Sequence, residues 1–232
     1  MRGFLCGRFS ARAAASCSMG SALSRSLRCA RNRTSRTRRA RRWHGCAARA
    51  HNPAMPQTLF LFDRPESVAT WSAIDDRVMG GVSRSTLRFD PAGHAVFAGL
   101  VSADNNGGFA SVRSAVVHRA SGEFDPEAFD AIELDVRGDG RRYKLNLRTD
   151  HGFDGVSYQA GFEPPAGTWT RVRLPLAAFR PSWRGRPVPD APPLRGARIE
   201  QVGLMIADRQ FGSFELAVRG VWMLRESGEE GR

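Results

Sequence analysis

Strict alternation of apolar and polar residues is the feature of this sequence that most narrows its fold. In residues 131–137, Ile132, Leu134 and Val136 alternate with Glu133, Asp135 and Arg137. In 142–149, Tyr143, Leu145 and Leu147 alternate with Arg142, Lys144, Asn146 and Arg148. A period of two places successive side chains on opposite faces of a strand, one for a core and one for water. The same runs wound into a helix would scatter their apolar residues around the whole cylinder. The pattern recurs at 95–101, 108–114, 156–163, 168–176, 201–207 and 213–224, and more weakly at 58–62 and 84–89. Only Glu66–Trp71 reads as a helical turn. Nine or ten short strands separated by turn residues predict an all-β chain, one antiparallel β-sandwich. Gly138-Asp139-Gly140-Arg141 reads as the turn of a hairpin joining 131–137 to 142–149. Arg180–Leu194, with five prolines in fifteen residues, is predicted to be a long ordered loop pinned by Trp183, not a central strand.

Charge divides the chain in two. The total is 35 basic against 23 acidic residues, a formal +12. Thirteen of the arginines precede Met55, and the first acid is Asp63. Residues 56–232 therefore carry 22 basic and 23 acidic groups, a net of −1. A balanced domain is not drawn to nucleic acid by a global field, so no nucleic-acid partner is expected. The four cysteines, Cys6, Cys17, Cys29 and Cys46, also lie in the basic leader, without metal-ligand spacing. No run of 18 uncharged apolar residues occurs, so no membrane span is expected.

Residues 1–54 are read as a disordered basic leader, since Arg31–Arg42 concentrates like charge that repels itself. The preferred reading is an extension ahead of a start at Met55. A mitochondrial transit peptide and a basic RNA- or lipid-binding arm are the alternatives. The sandwich is assigned to 55–226 and a disordered tail to 227–232. A bacterial, cytoplasmic monomer is expected, with mitochondria as the alternative location if the leader is a transit peptide.

Six segments together resemble a known family. They are Trp71-x-x-x-DDRVMGGVS, with Asp75 to Ser83, NNGGFASVRS (105–114), RGDGRRYKLNLRT (137–149), GVSYQAGF (155–162), SWRGRPVPDAPPL (182–194) and GLMIADRQFGSFEL (203–216). Long and in order over about 59–224, they are similar to the complex I intermediate-associated protein 30 family. The resemblance implies a galactose-binding-like jelly-roll sandwich, in agreement with the alternation. It also implies a chaperone-like assembly factor for respiratory complex I, with protein partners among complex I subunits or intermediates. It implies no catalytic constellation.

The residues themselves offer binding candidates. Asp75, Asp76 and Arg77 form the densest polar cluster near the start. We read it as an ion-pair and turn network, with an oxygen-ligated Ca²⁺ site as the alternative. Asn105 and Asn106 read first as a turn, and otherwise as amides presented at the sandwich rim. Lys144, Asn146 and Arg148 on one strand and Gln159 on the next form a row of long hydrogen-bonding side chains. Such a row either is simply solvated or recognises a sugar or a polar protein surface. Trp183 and Arg184 are the residue types that anchor protein interfaces. No catalytic, metal or cofactor site is expected: the five histidines are scattered, and neither G-x-S-x-G nor a phosphate loop occurs. The chain is predicted to be a non-catalytic binding protein, with a carbohydrate- or small-ligand-binding module as the alternative.

Overall fold

The computed structural model describes residues 56–115, 129–152 and 154–225. The predicted leader at 1–54 and tail at 227–232 lie outside these residues. Two antiparallel sheets enclose one core. The first runs β3 (Arg84–Asp90), β4 (His94–Val101), β13 (Gly212–Leu224), β6 (Ala131–Arg137) and β9 (Trp169–Pro175). In it β13 pairs with β6 on one side. On the other it pairs first with β4, then with β1 (Gln57–Leu61). The second sheet runs β11 (Arg186–Pro187), β10 (Arg180–Trp183), β8 (Ser157–Phe162), β7 (Tyr143–Arg148), β12 (Gln201–Ile206), β5 (Ala110–Ser114) and β2 (Trp71–Ala73).

The alternation assigns the faces correctly. Ile132, Leu134 and Val136 of β6 meet Tyr143, Leu145 and Leu147 of β7 in the core, all fully buried. Leu204 and Ile206 of β12 and Leu216 and Val218 of β13 join them. Each such large apolar side chain stabilises the fold by roughly 1.5–3 kcal/mol when buried.

One local prediction is corrected. Residues 138–141 do not close a hairpin: β6 belongs to the first sheet and β7 to the second. Gly138 makes a bridge to Ala166, and the Asp139 carboxylate accepts hydrogen bonds from the Glu215 N–H (3.0 Å) and the Tyr143 hydroxyl (2.9 Å). These ties, two of them long-range, turn the chain through a corner, so the two apolar faces pack against each other across the core. Alternation alone is the same in either arrangement.

The proline-rich stretch also differs in part, since it begins with two short strands at one border of the second sheet, β11 outermost and β10 next to it. β10 lies against β8, and β11 folds back on β10. Pro181 and Pro187 are tolerated because an outer position does not require their missing N–H. Farther on, the loop is fastened by the Tyr158 hydroxyl donating to the Pro192 carbonyl at 2.6 Å. The predicted helical turn is a short 3-10 helix at Pro65–Val68.

Candidate functional site

The outer face of the seven-stranded sheet gathers the polar row found in the sequence. Its rungs follow from strand register. One rung runs Arg113, Gly203, Asn146, Gln159 and Arg180 across β5, β12, β7, β8 and β10. Gln201, Arg148, Ser157 and Ser182 form the next rung on one side. Ser111, Met205, Lys144 and Gly161 form the next on the other. Gly203 and Gly161 place no side chain on this face, which lowers its floor between the longer residues.

Two acids border the face and are paired with it. Lys144 Nζ lies 2.8 Å from the Asp208 carboxylate, and Arg148 Nη2 lies 2.7 Å from that of Asp150. Arg113 loses a proton more readily than an ordinary arginine, chiefly through burial and secondarily through the nearby Arg148 charge. Asn146 Oδ1 and Gln201 Oε1 are buried acceptors that meet no hydrogen-bond donor among the described residues.

Beside the face, the β10–β11 hairpin raises a wall. An open cleft of about 270 Å³ lies between them, lined by Lys144, Gln159, Gly161, Arg180, Pro181 and Ser182, among others. At the tip, Arg184 adopts positive φ (49°) and lies over the Trp183 ring, its guanidinium carbon 5.0 Å from the ring centre. Asp154 holds both residues, accepting from Trp183 Nε1 at 2.9 Å and from Arg184 Nε at 3.1 Å. Trp183 stays 42% exposed, so it does not anchor the loop in the core.

The Arg184 hydrogen bonds, and then that from Trp183, hold the Asp154 carboxyl below its ordinary 3.8. A depressed folded value means that this tie contributes above the ordinary carboxylate range and is lost as pH falls through the depressed value. Acid titration of tryptophan fluorescence should therefore separate the wild type from Asp154→Asn by a component that titrates only below about pH 4. Identical curves, or a component titrating above that range, would contradict the tie.

Asp75, Asp76, Asn105 and Asn106 lie elsewhere, and the two aspartates have a different use. Asp75 accepts from the Ser85 N–H (2.9 Å) and hydroxyl (2.6 Å) and from the Ser111 N–H (2.9 Å). It thereby staples β3 of one sheet to β5 of the other. Asp76 accepts from the Ser83 N–H (2.9 Å) and hydroxyl (2.5 Å) and from the N–H groups of Gly108 (2.8 Å) and Phe109 (3.4 Å). It fastens the Arg77–Val82 loop to the connection between β4 and β5. A Cβ at Gly107 would stand 2.6 Å from Asp76 Oδ2, so glycine is required for this close approach. The oxygens a hard cation would need already face N–H and O–H donors. Arg77 is exposed at this loop, and Asn105 and Asn106 are exposed in left-handed turn conformations (φ 54° and 59°).

Of the sequence candidates, then, the fold brings together Lys144, Asn146, Arg148, Gln159, Trp183 and Arg184. Arg113, Arg180, Gln201, Gly161 and Gly203 join that site without having been foreseen. Alternation does signal that Arg113 and Gln201 point outward. Which strands lie beside β7 is a matter of topology, which local patterning does not encode.

Comparison with known proteins places the fold and the family. The family 11 carbohydrate-binding module of a cellulosomal cellulase from Clostridium thermocellum superposes with a TM-score of 0.54 at 15% identity. That match covers 74% of this chain and 95% of the module. The fold is accordingly a galactose-binding-like jelly-roll sandwich. An uncharacterized protein of Schizosaccharomyces pombe is 31% identical, over 70% of this chain and 82% of its own length. The protein named Complex I intermediate-associated protein 30, mitochondrial, of Drosophila melanogaster is 27% identical over 58% of this chain. Its namesake in Mus musculus is 25% identical over 70% of this chain. This chain spans about half of those two relatives, 50% and 54% of their lengths. The expectation of a bacterial, cytoplasmic protein is overturned here: the relatives are eukaryotic, and the fly, mouse and Neurospora crassa proteins are named as mitochondrial. The family model for Complex I intermediate-associated protein 30 matches residues 60–218, and the chain belongs to that family.

Proposed function

We propose that this chain is a non-catalytic, chaperone-like binding protein that serves the assembly of respiratory complex I in mitochondria. Its sandwich domain, 55–226, holds a protein partner on the outer face of the seven-stranded sheet. The relatives' names support the process. The observation that carries the mode of action is the convergence of Lys144, Gln159 and Arg180 in an open cleft, with Asn146 beside Gln159 on the same face and the exposed Trp183 on the hairpin that walls the cleft. Side chains with several hydrogen-bond donors, next to an exposed aromatic, suit a protein surface that must be bound and later released.

The opposite face contrasts with it. There Glu133 lies between Arg171 (3.2 Å) and Arg173 (3.4 Å), and Asp135 faces Arg219 at 3.7 Å. Arg219 also covers Trp169, its guanidinium carbon 3.9 Å from the ring centre. That face neutralises its own charges.

A sugar is the less suited occupant of the cleft. Stacking needs an open aromatic plane. Tyr143 and Tyr158 point into the core at 0% and 4% exposure, and Arg184 lies over the Trp183 ring. Affinity purification of the full chain from its own organism tests the proposal. Trp183→Ala should leave the melting temperature within about 2 °C while reducing capture of complex I subunits several-fold. Undiminished capture would count against this face.

A further inference from the structure

Of the six large apolar side chains exposed among the described residues, four gather at one end of the sandwich: Met79, Val82, Leu100 and Phe211. Strand register puts them there. Arg84, the first residue of β3, lies opposite Leu100 near the end of β4, and Leu100 lies opposite Ser213 at the start of β13. Val82 precedes this row on the Arg77–Val82 loop, and Phe211 precedes it on the connection between β12 and β13. The Ser102 N–H donates to the Ser83 hydroxyl at 3.0 Å and so ties the first loop to the end of β4. Met79 is 67% exposed, and a Cβ on Gly80 would meet no atom within 4 Å, so this loop projects into solvent at its tip. On the β12–β13 connection, Asp208 and Arg209 both take positive φ (63° and 60°), a tight turn that leaves Arg209 and Phe211 exposed.

Cations flank these apolar tips. Arg77, Arg84 and Arg209 are exposed and meet no carboxylate among the described residues. Nearby acids are otherwise engaged. Asp208 is paired with Lys144 at 2.8 Å, Asp104 accepts from the Ser102 hydroxyl at 2.8 Å, and Asp75 and Asp76 are buried on serine and backbone donors. Clustered apolar groups in water cost free energy that an apolar phase returns. A protein hot spot is a packed pocket sealed by its surroundings. None of these four side chains lines the cleft beside β10, and two of them stand on projecting loops. Apolar tips with arginines beside them suit a bilayer surface, apolar beneath and anionic above.

We propose that this end of the domain rests on an anionic lipid surface. Met79, Val82 and Phe211 enter the boundary between headgroups and acyl chains, while Arg77, Arg84 and Arg209 meet the lipid anions. Such seating needs no membrane-spanning helix, and no described helix is long and apolar enough to be one. It uses none of the cleft residues, so the docking face stays open to a partner.

Vesicles of phosphatidylcholine with about one third phosphatidylserine, and a trace of lipid carrying a photo-crosslinker in its upper acyl chain, serve as the probe. The full chain is the receptor. The thirteen leader arginines will bind any anionic surface, so the map of crosslinked peptides is the readout. Crosslinks are expected on the Arg77–Val82 loop and on residues 207–211, and should fall roughly tenfold on phosphatidylcholine alone. Arg77→Gln/Arg84→Gln/Arg209→Gln should lower them about tenfold, and Met79→Ser/Phe211→Ser about as much. Arg64→Gln, at an exposed site beyond β1, should leave them unchanged. The wild-type map decides by itself if a variant fails to fold. Crosslinks confined to the leader, or equal on both kinds of vesicle, would overturn the proposal, as would crosslinks insensitive to both sets of substitutions. If neither loop meets lipid while Met79→Ser/Phe211→Ser reduces capture of complex I subunits, this end is a protein contact and the lipid inference falls.

Discussion

Replacing Asp76 by alanine should lower the melting temperature by about 8–15 °C, the largest single-residue effect expected outside the apolar core. The carboxylate is 2% exposed and accepts four hydrogen bonds, three from backbone N–H groups and one from the Ser83 hydroxyl. Alanine leaves these donors without an acceptor in a site too enclosed for easy rehydration. An unsatisfied buried polar group costs about 1–3 kcal/mol, and losing the charge-assisted network as a whole should cost about 3–5 kcal/mol. For a domain of this size, 1 kcal/mol corresponds to about 2–4 °C. Ser83→Ala removes only the hydroxyl contacts and should cost about 1–2 kcal/mol. A thermal melt of Asp76→Ala within about 2 °C of the wild type would show that the loops do not depend on this carboxylate.

Gly161→Trp should abolish partner capture while leaving the fold intact. Gly161 sits on the outer face opposite Lys144 and lines the cleft. A Cβ there would meet nothing nearer than the Tyr143 carbonyl oxygen at 3.8 Å, so a side chain enters without a backbone clash. An indole would then occupy space that the partner is proposed to fill. We expect capture to fall at least tenfold, or about 1.4 kcal/mol and more, with the melting temperature changed by less than about 3 °C. The neighbouring position does not allow this design. A Cβ at Gly203 would approach the Val112 carbonyl oxygen to 2.9 Å and strain the sheet. Retained capture by a stably folded Gly161→Trp would move the docking surface elsewhere on the molecule.

The sandwich was legible because its cause is local. A strand that is dry on one side and wet on the other must alternate, as most of β7 does, and the apolar residues of β6 keep the same period although Glu133 on its outer face is also covered. The outward direction of Lys144, Asn146, Arg148 and Gln159 follows from the same rule. The corner at Gly138–Arg141 was not legible, because a hairpin and a crossover share glycines and an aspartate. The difference lies in Asp139 reaching Glu215 across the chain. The two short border strands in the proline-rich stretch were hidden for a related reason. Proline excludes a central strand, yet an outer one needs fewer N–H donors. Asp75 and Asp76 illustrate the limit for sites. Two adjacent carboxylates suit a cation or a set of serine and backbone donors equally well, and only the placement of Ser83, Ser85, Gly108 and Ser111 decides between them.

The central claim joins a process to a surface, and one measurement addresses both. Cells lacking this protein are supplied with the wild-type chain or with Gly161→Trp, and assembled complex I is separated from its subassemblies on native gels and quantified. Loss of the protein should deplete the full complex and accumulate intermediates. The wild-type chain should restore the complex, and Gly161→Trp, present at equal abundance, should fail to do so. Normal complex I without the protein would contradict the assembly role, and full restoration by Gly161→Trp would contradict the sheet face as its means.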